Sequence, residues 1–217
     1  MGDIMDFKKL IVQSWNNTLN FIGPVLLITL VQIIVSVVSF GILAPVTMAG
    51  YVQSLLRAAR EGRSPEIGDL FSQMRLFLPL LLFSLLLLVV AALGFTLLIL
   101  PGFLVIGFVV YASFYLIPLM TDKELGLFDA LKTSWDHAVS PPISDHLIVA
   151  IIYIVIMSFG SSLLFAFLFT QPMATFILVG AYLERFTIEA EADTGNDRPG
   201  EDVEASRDPV DVENKPE

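Results

Sequence analysis

Cysteine is absent from the 217 residues, which excludes disulfides, thiolate zinc sites, iron–sulfur clusters and thiol catalysis together. Charge is scarce. Only 16% of residues are Asp, Glu, Lys or Arg, against 55% hydrophobic, and mean hydropathy is +0.77. Such a balance excludes an ordinary soluble domain and implies an integral membrane protein. There is no basic patch for a nucleic acid to meet.

The formal net charge of −10 is unevenly placed. Residues 187–217 contain eleven Asp and Glu against Arg198, Arg207 and Lys215, a balance of −8, which leaves residues 1–186 at −2. The tail from Glu189 onward has no aromatic residue. It cannot bury enough apolar surface to fold alone, so residues 187–217 are predicted to be an acidic disordered cytoplasmic tail.

Three stretches lack any charge: Phe21 to Leu56 (36 residues), Leu76 to Thr121 (46) and Leu147 to Leu183 (37). One crossing of hydrocarbon takes about 20 apolar residues in a helix, so each stretch is long enough for a hairpin of two. Turn residues fall near the middle of each: Gly41 to Pro45, Leu100-Pro101-Gly102 and Thr170-Gln171-Pro172. Proline suits the first turn of a returning helix. The pattern predicts an all-α polytopic protein with six transmembrane helices, at about 21–40, 44–56, 76–98, 102–120, 147–169 and 173–186. The second is short, with a tilted or partly inserted segment as the alternative. Lys8 and Lys9 precede an apolar run longer than a signal peptide's core and without a small-x-small cleavage pattern, so the first helix is read as retained.

All twelve Lys and Arg residues lie in the N-terminal segment, the connections Arg57 to Arg75 and Lys123 to Lys132, or the C-terminal region. The three hairpin turns have none. The positive-inside bias therefore places both termini and both longer connections in the cytoplasm, with the protein in the inner or plasma membrane.

A short segment of helical period precedes each hairpin. In Phe7 to Leu19 the apolar face is Phe7, Leu10, Ile11 and Trp15; in Ile67 to Phe77 it is Ile67, Leu70, Phe71 and Met74; in Leu127 to Val139 it is Leu127, Phe128, Leu131 and Trp135. Polar residues such as Asp69 and Gln73 in the second, or Asp129 and Lys132 in the third, take the opposite face. Surface-lying amphipathic helices are predicted for all three. Ser64-Pro65-Glu66 and Thr121-x-x-Glu124 signal the starts of the second and third. Ser14-Trp15-Asn16-Asn17 and Ser134-Trp135-Asp136-His137 lie 120 residues apart, and Pro101 to Tyr111 has the same spacing as Pro172 to Tyr182. These echoes suggest parallel internal repeats at 5–57, 64–121 and 122–186 within a transmembrane domain of residues 1–186.

The residues Trp15 with Phe21-Ile22-Gly23-Pro24, Pro45 with Ala49-Gly50-Tyr51, Arg57 to Gly62, Leu100-Pro101-Gly102 and Gly126 to Ser134 resemble bacterial and archaeal six-helix membrane families. These are the YciC-like and DUF975-like families and the membrane domain attached to some glycerophosphodiester phosphodiesterases. The resemblance covers about residues 5–186. It implies the six-helix architecture and no activity, because in the phosphodiesterase fusions the catalytic residues belong to a separate soluble domain that has no counterpart here.

No ionisable residue lies in the central part of a predicted span, which argues against an ion-coupled transporter. Gln32, Ser84, Ser113 and Ser158 are candidate cavity or packing residues; interhelical hydrogen bonding is their structural reading. Lys8, Lys9, Arg57, Arg60, Arg63 and Arg75 are candidate contacts for lipid headgroups. Trp15, Trp135, Tyr51 and Tyr182 are candidate interfacial anchors. His137 and His146, beside Asp136 and Asp145, are read as exposed at the boundary, with a membrane enzyme built on them a remote alternative. No catalytic, metal or cofactor site is expected. The sequence thus predicts a non-enzymatic membrane component acting through lipid and protein contacts; the acidic tail reads first as a solvating segment, with docking of a membrane or cytoplasmic protein partner as its alternative role. The alternative is a transporter or channel for a lipid or small apolar solute, for which a continuous cavity along Gln32, Ser84, Ser113 and Ser158 would be the mark.

Overall fold

The computed structural model describes residues 6–97, 99–140, 143–161 and 164–196. Two compact units divide the chain, Met1–Glu184 and Arg185–Glu217. The described part of the second is the end of the last helix, residues 185–196, and all the other described residues belong to the first. Among the described residues all regular structure is helical, without a strand.

Helix α1, Phe7–Asn20, starts at Asp6, whose carboxylate caps the Lys9 N–H at 3.0 Å. The chain then turns by 85° into α2, Ile22–Val38. A tight reversal comes next, with Phe40 and Gly41 in the left-handed region (φ 51° and 81°). Helix α3, Ala44–Glu61, has Pro45 in its first turn and ends at Gly62, also left-handed, whose N–H donates to the Ala58 carbonyl at 3.1 Å. Two short 3-10 turns, Ile67–Phe71 and Met74–Leu76, lead into α4, Phe77–Leu97. Helix α5, Ile99–Ala112, and α6, Leu116–Asp122, are separated by a short break. Helix α7, Leu127–Val139, bends by 111° into α8, Ile143–Ser161, and α9 runs from Leu164 to Asn196.

By length and composition, Ile67–Gly94 and Ala166–Phe186 can each cross a membrane, and the count rises to four if each bent pair, α1 with α2 and α7 with α8, is one span. The chain is therefore all-α with membrane-crossing potential in two to four segments.

Several expectations need correction. Thr170-Gln171-Pro172 makes no turn: Pro172 lies inside α9, which is already helical from Leu164. One missing N–H does not stop a helix whose neighbours pack along it. The Leu100-Pro101-Gly102 signal marks the first turn of α5, and Leu98 lies outside the described residues. Helix α3 runs past Leu56 to Glu61, 18 residues in all, with most of its length buried. Residues 187–196, assigned to a disordered tail, continue α9, and residues 197–217 lie outside the described ones. Glu66, rather than Ser64, caps the turn Ile67–Phe71 in a reciprocal box with Asp69. Thr121 is a residue of α6, its hydroxyl on the Ile117 carbonyl at 3.0 Å, and α7 starts from Gly126.

The middle amphipathic segment differs most. It is no continuous helix, and two residues of its expected polar face, Asp69 and Gln73, are buried with Leu70, while Ile67, Phe71 and Met74 of the apolar face are exposed. The bonding of the Asp69 carboxylate explains its burial. Its Oδ2 accepts from the Ser54 hydroxyl at 2.7 Å and from the Glu66 N–H at 3.1 Å, and its Oδ1 accepts from Arg63 at 3.1 Å. A fully bonded carboxylate can be buried; an unbonded one cannot.

Helix α3 lies at the centre. Tyr51, Leu55 and Ala58 pack with Val25 and Ile28 of α2, Leu70 and Phe176 of α9. At Gly50 the backbone of the 67–71 turn comes so close that a Cβ would collide with the carbonyl groups of Asp69 and Leu70. At Gly180, α9 meets Leu10 of α1 in the same way, though there against a movable side-chain end.

Helices α1 and α7 keep a common register, starting 120 residues apart. The buried residues correspond as well: Leu10, Ser14 and Thr18 on α1, then Ala130, Ser134 and Ala138 on α7, each 120 residues later. Both helices turn small residues inward and a tryptophan outward. Each also packs on the helix that closes another hairpin: α1 on α9, the 67–71 turn on α3, and α7 on α6.

Candidate functional site

Two helix ends and the interior of a third helix meet in one polar junction. Arg60 belongs to the last turn of α3, Asp122 ends α6, and Tyr182 lies on α9. Arg60 donates from Nη1 to Asp122 Oδ1 at 2.8 Å and from Nη2 to Oδ2 at 3.0 Å, and the Tyr182 hydroxyl donates to Oδ2 at 2.8 Å. Forked geometry of this kind is the strong form of an arginine–carboxylate pair. Burial alone would raise the Asp122 carboxyl; the hydrogen bonds from Arg60 and Tyr182 and the guanidinium charge outweigh it and hold the carboxyl below its ordinary range. Hydrogen bonding to Asp122 likewise raises the Arg60 guanidinium. Both oxygens are committed, so the group is a clamp between helices and a poor proton acceptor.

Two other arginines are also paired. Arg63 bridges Asp69 at 3.1 Å and Glu66 at 3.5 Å, and Arg75 meets Glu124 at 3.0 Å. Of the six candidate headgroup contacts, Lys8 and Lys9 are exposed on α1 and Arg57 is half-buried. The tryptophans stay on the outside, Trp15 edge-on to Phe169 at 5.9 Å and Trp135 tilted on Phe108 at 5.4 Å. Tyr51 and Tyr182 are enclosed by protein instead. The Tyr51 hydroxyl is 2.9 Å from that of Thr29, and Tyr182 serves the junction. Neither is a surface anchor.

A second polar cluster repairs the break between α5 and α6. The Ser134 hydroxyl donates to the Ala112 carbonyl at 2.8 Å and accepts from the Tyr115 N–H at 3.2 Å. His146 Nε2 lies 3.1 Å from the Tyr111 carbonyl oxygen, and the Tyr111 hydroxyl donates to the Ala138 carbonyl at 2.6 Å. His146 is buried among the rings of Tyr111, Phe114 and Tyr115, which corrects its expected exposure. An apolar interior requires these freed backbone groups to find partners. His137 is half-buried on α7 beside exposed Asp136. Among the described residues no group of three His, Asp or Glu side chains is arranged to hold a metal.

The four polar candidates do not share one cavity among the described residues. Gln32 is tied to Gln171 of α9, whose Nε2 donates to Gln32 Oε1 at 2.7 Å. Ser84 bonds the Leu81 carbonyl at 2.9 Å and edges an apolar groove of about 290 Å³ between α4 and α5. Ser113, just past the end of α5, bonds the Val109 carbonyl at 2.6 Å, and Ser158 bonds Ile154 of its own helix at 2.7 Å. Asp122 is not among the candidate residues, and Gln171 reads as a turn residue, yet both join helices. For Asp122 a signal existed: like Arg57, it is the first charge after a long uncharged run.

No protein-family model, curated protein or solved structure matches this chain. The resemblance to the YciC-like, DUF975-like and phosphodiesterase-attached membrane families rests on the residues quoted for it above.

Proposed function

We propose that the chain is a non-enzymatic integral protein of the cytoplasmic membrane that organises or docks other components through lipid and protein contacts. In this reading α2, α3, α4, α5 with α6, α8 and α9 provide six crossings, α1 and α7 lie along the cytoplasmic boundary, and both termini are cytoplasmic. The three hairpins descend from one duplicated unit. The common register of α1 and α7 supports the duplication, and the sharp bends after α1 and α7 support the boundary position.

The observation that carries the functional reading is the Arg60–Asp122–Tyr182 junction. It spends the best-placed charged pair on fastening three helices, which suits a fixed scaffold better than a moving carrier. Large apolar side chains face outward, as on α4 with Leu78, Leu82, Leu86, Val89 and Leu93, where lipid would cover them. The rival transporter or channel draws no support from Gln32, Ser84, Ser113 and Ser158, since they line no common path among the described residues. Of the basic residues, Lys8, Lys9 and Arg57 remain suited to lipid headgroups, because Arg60, Arg63 and Arg75 already hold carboxylates.

Mass spectrometry of the protein extracted in native-lipid discs, scored against a matched unrelated membrane protein, tests this function. A stoichiometric protein partner that disappears when residues 187–217 are deleted is the expected result. Partner-free protein that carries a selective solute flux in liposomes would overturn it.

A further inference from the structure

Gln32 and Gln171 also form the floor of a groove of about 340 Å³, lined further by Ser36, Met48, Met157 and Phe167 and free of any charged residue among those described. Both glutamines are more than nine-tenths buried, at 7% and 3% exposure. Their hydrogen bonding is incomplete. Gln171 Nε2 donates to Gln32 Oε1 at 2.7 Å, and Gln32 Nε2 is left with the Met48 sulfur at 3.3 Å, a weak acceptor. Among the described residues nothing donates to Gln171 Oε1, and half-buried Ser36 turns a hydroxyl into the groove wall. In a bilayer no water reaches such a wall, so these open groups gain by meeting a partner. The groove falls within the usual ligand-pocket range of about 300–1,000 Å³ and has the usual character, mostly apolar with a few convergent polar groups.

We infer that this groove binds an uncharged amphiphile, a hydrocarbon chain carrying a hydroxyl head, with the hydroxyl at Gln171 and Ser36 and the chain along Ile33, Met48 and Phe167. The head donates to Gln171 Oε1 and accepts from the Ser36 hydroxyl. A charged head would be buried without a counter-charge. A bare hydrocarbon would leave the amide oxygen unmet. The inference rests on the membrane location proposed above and not on a protein partner or on the Arg60–Asp122 junction.

Photolabelling of the full chain in phosphatidylglycerol discs tests it with three probes of one diazirine-bearing tail: a monoacylglycerol, the free fatty acid and the alkane. The monoacylglycerol should label peptides covering residues 32–48 and 167–171 about tenfold more than either comparator, the effect of one net hydrogen bond. Ser36→Ala should remove most of that preference. Ile33→Trp, which fills the groove and keeps the amides, should abolish labelling there. Labelling of α4 residues 78–93 is the bilayer control and should not change in either variant. Equal labelling by all three probes, or a preference that survives both variants, overturns the groove while α4 labelling upholds the membrane location. Loss of labelling on α4 as well overturns both.

Discussion

Arg60 grips both carboxylate oxygens of Asp122, 62 residues further along the chain, and so joins the end of the first hairpin to the end of the second. The side chains are 46% and 14% exposed, so the pair lies at the edge of the protein and solvent discounts it. Asp122→Asn keeps the Tyr182 hydrogen bond and removes the charge. It should lower stability by about 1–2 kcal/mol, with Arg60→Lys losing less because charge remains and only the fork is lost. Thermal unfolding in detergent, followed by the two tryptophans, checks this; unchanged midpoints would make the junction energetically inert.

The same pair sets a pH dependence. Asp122 is depressed in the folded protein, so its contribution is fully present above the unfolded aspartate pKa of about 3.9 and is lost as the pH falls through the lower folded value. Acid titration of stability should show a step below about pH 4 that is absent from the Asp122→Asn protein. A step of equal size in both would assign it to other carboxylates.

Gly50→Ala should cost about 2–3 kcal/mol, because the added methyl meets backbone carbonyls that cannot swing aside. Gly23→Ala, in α2 with nothing within 4 Å of the new Cβ, should be neutral or stabilise by up to about 1 kcal/mol. Unfolding midpoints of the two variants decide it, and equal effects would contradict the close approach at α3.

Ser14 and Ser134 occupy matching places yet carry different loads. Ser134 serves two backbone groups at the α5–α6 break, whereas Ser14 bonds only the Leu10 carbonyl of its own helix. Ser134→Ala should cost about 1–3 kcal/mol and Ser14→Ala under about 1 kcal/mol. A reversed order in chemical or thermal unfolding would show that the break is satisfied some other way.

The lack of native cysteine makes topology directly measurable. Single cysteines at Lys8, Ser72 and Asp136 should react with an impermeant maleimide from the cytoplasmic side, and one at Ile42 only from the other. Reaction of Ile42 together with the first three would place the α2–α3 turn on the wrong face.

Much of the architecture was legible because hydropathy and charge act over whole segments. The spans of α1 and α7 match the periodicity of Phe7 to Leu19 and Leu127 to Val139 closely, and the turn at Gly41 to Pro45 is where its residues indicate. Directions were harder to read. Looking for large apolar residues on an inner face hides Ser14, Thr18, Ala130 and Ala138, which are buried because they are small and let helices approach. Asp69 reads as a surface residue until Ser54 and Arg63 are brought to it by the fold. Pro172 reads as a turn, since a sequence does not show the neighbours that pack along α9, inside which it lies.

The packing of α1 on α9, with Gly180 against Leu10, has a consequence for biosynthesis. Ribosomes deliver the chain from the N-terminus, so α1 emerges long before its partner. The other two joints, the 67–71 turn on α3 and α7 on α6, can form as soon as their second member appears. Among the described helices α1 therefore waits longest for its seat, and until then its inner face of Leu10, Ser14 and Thr18 is open to chaperone or insertase.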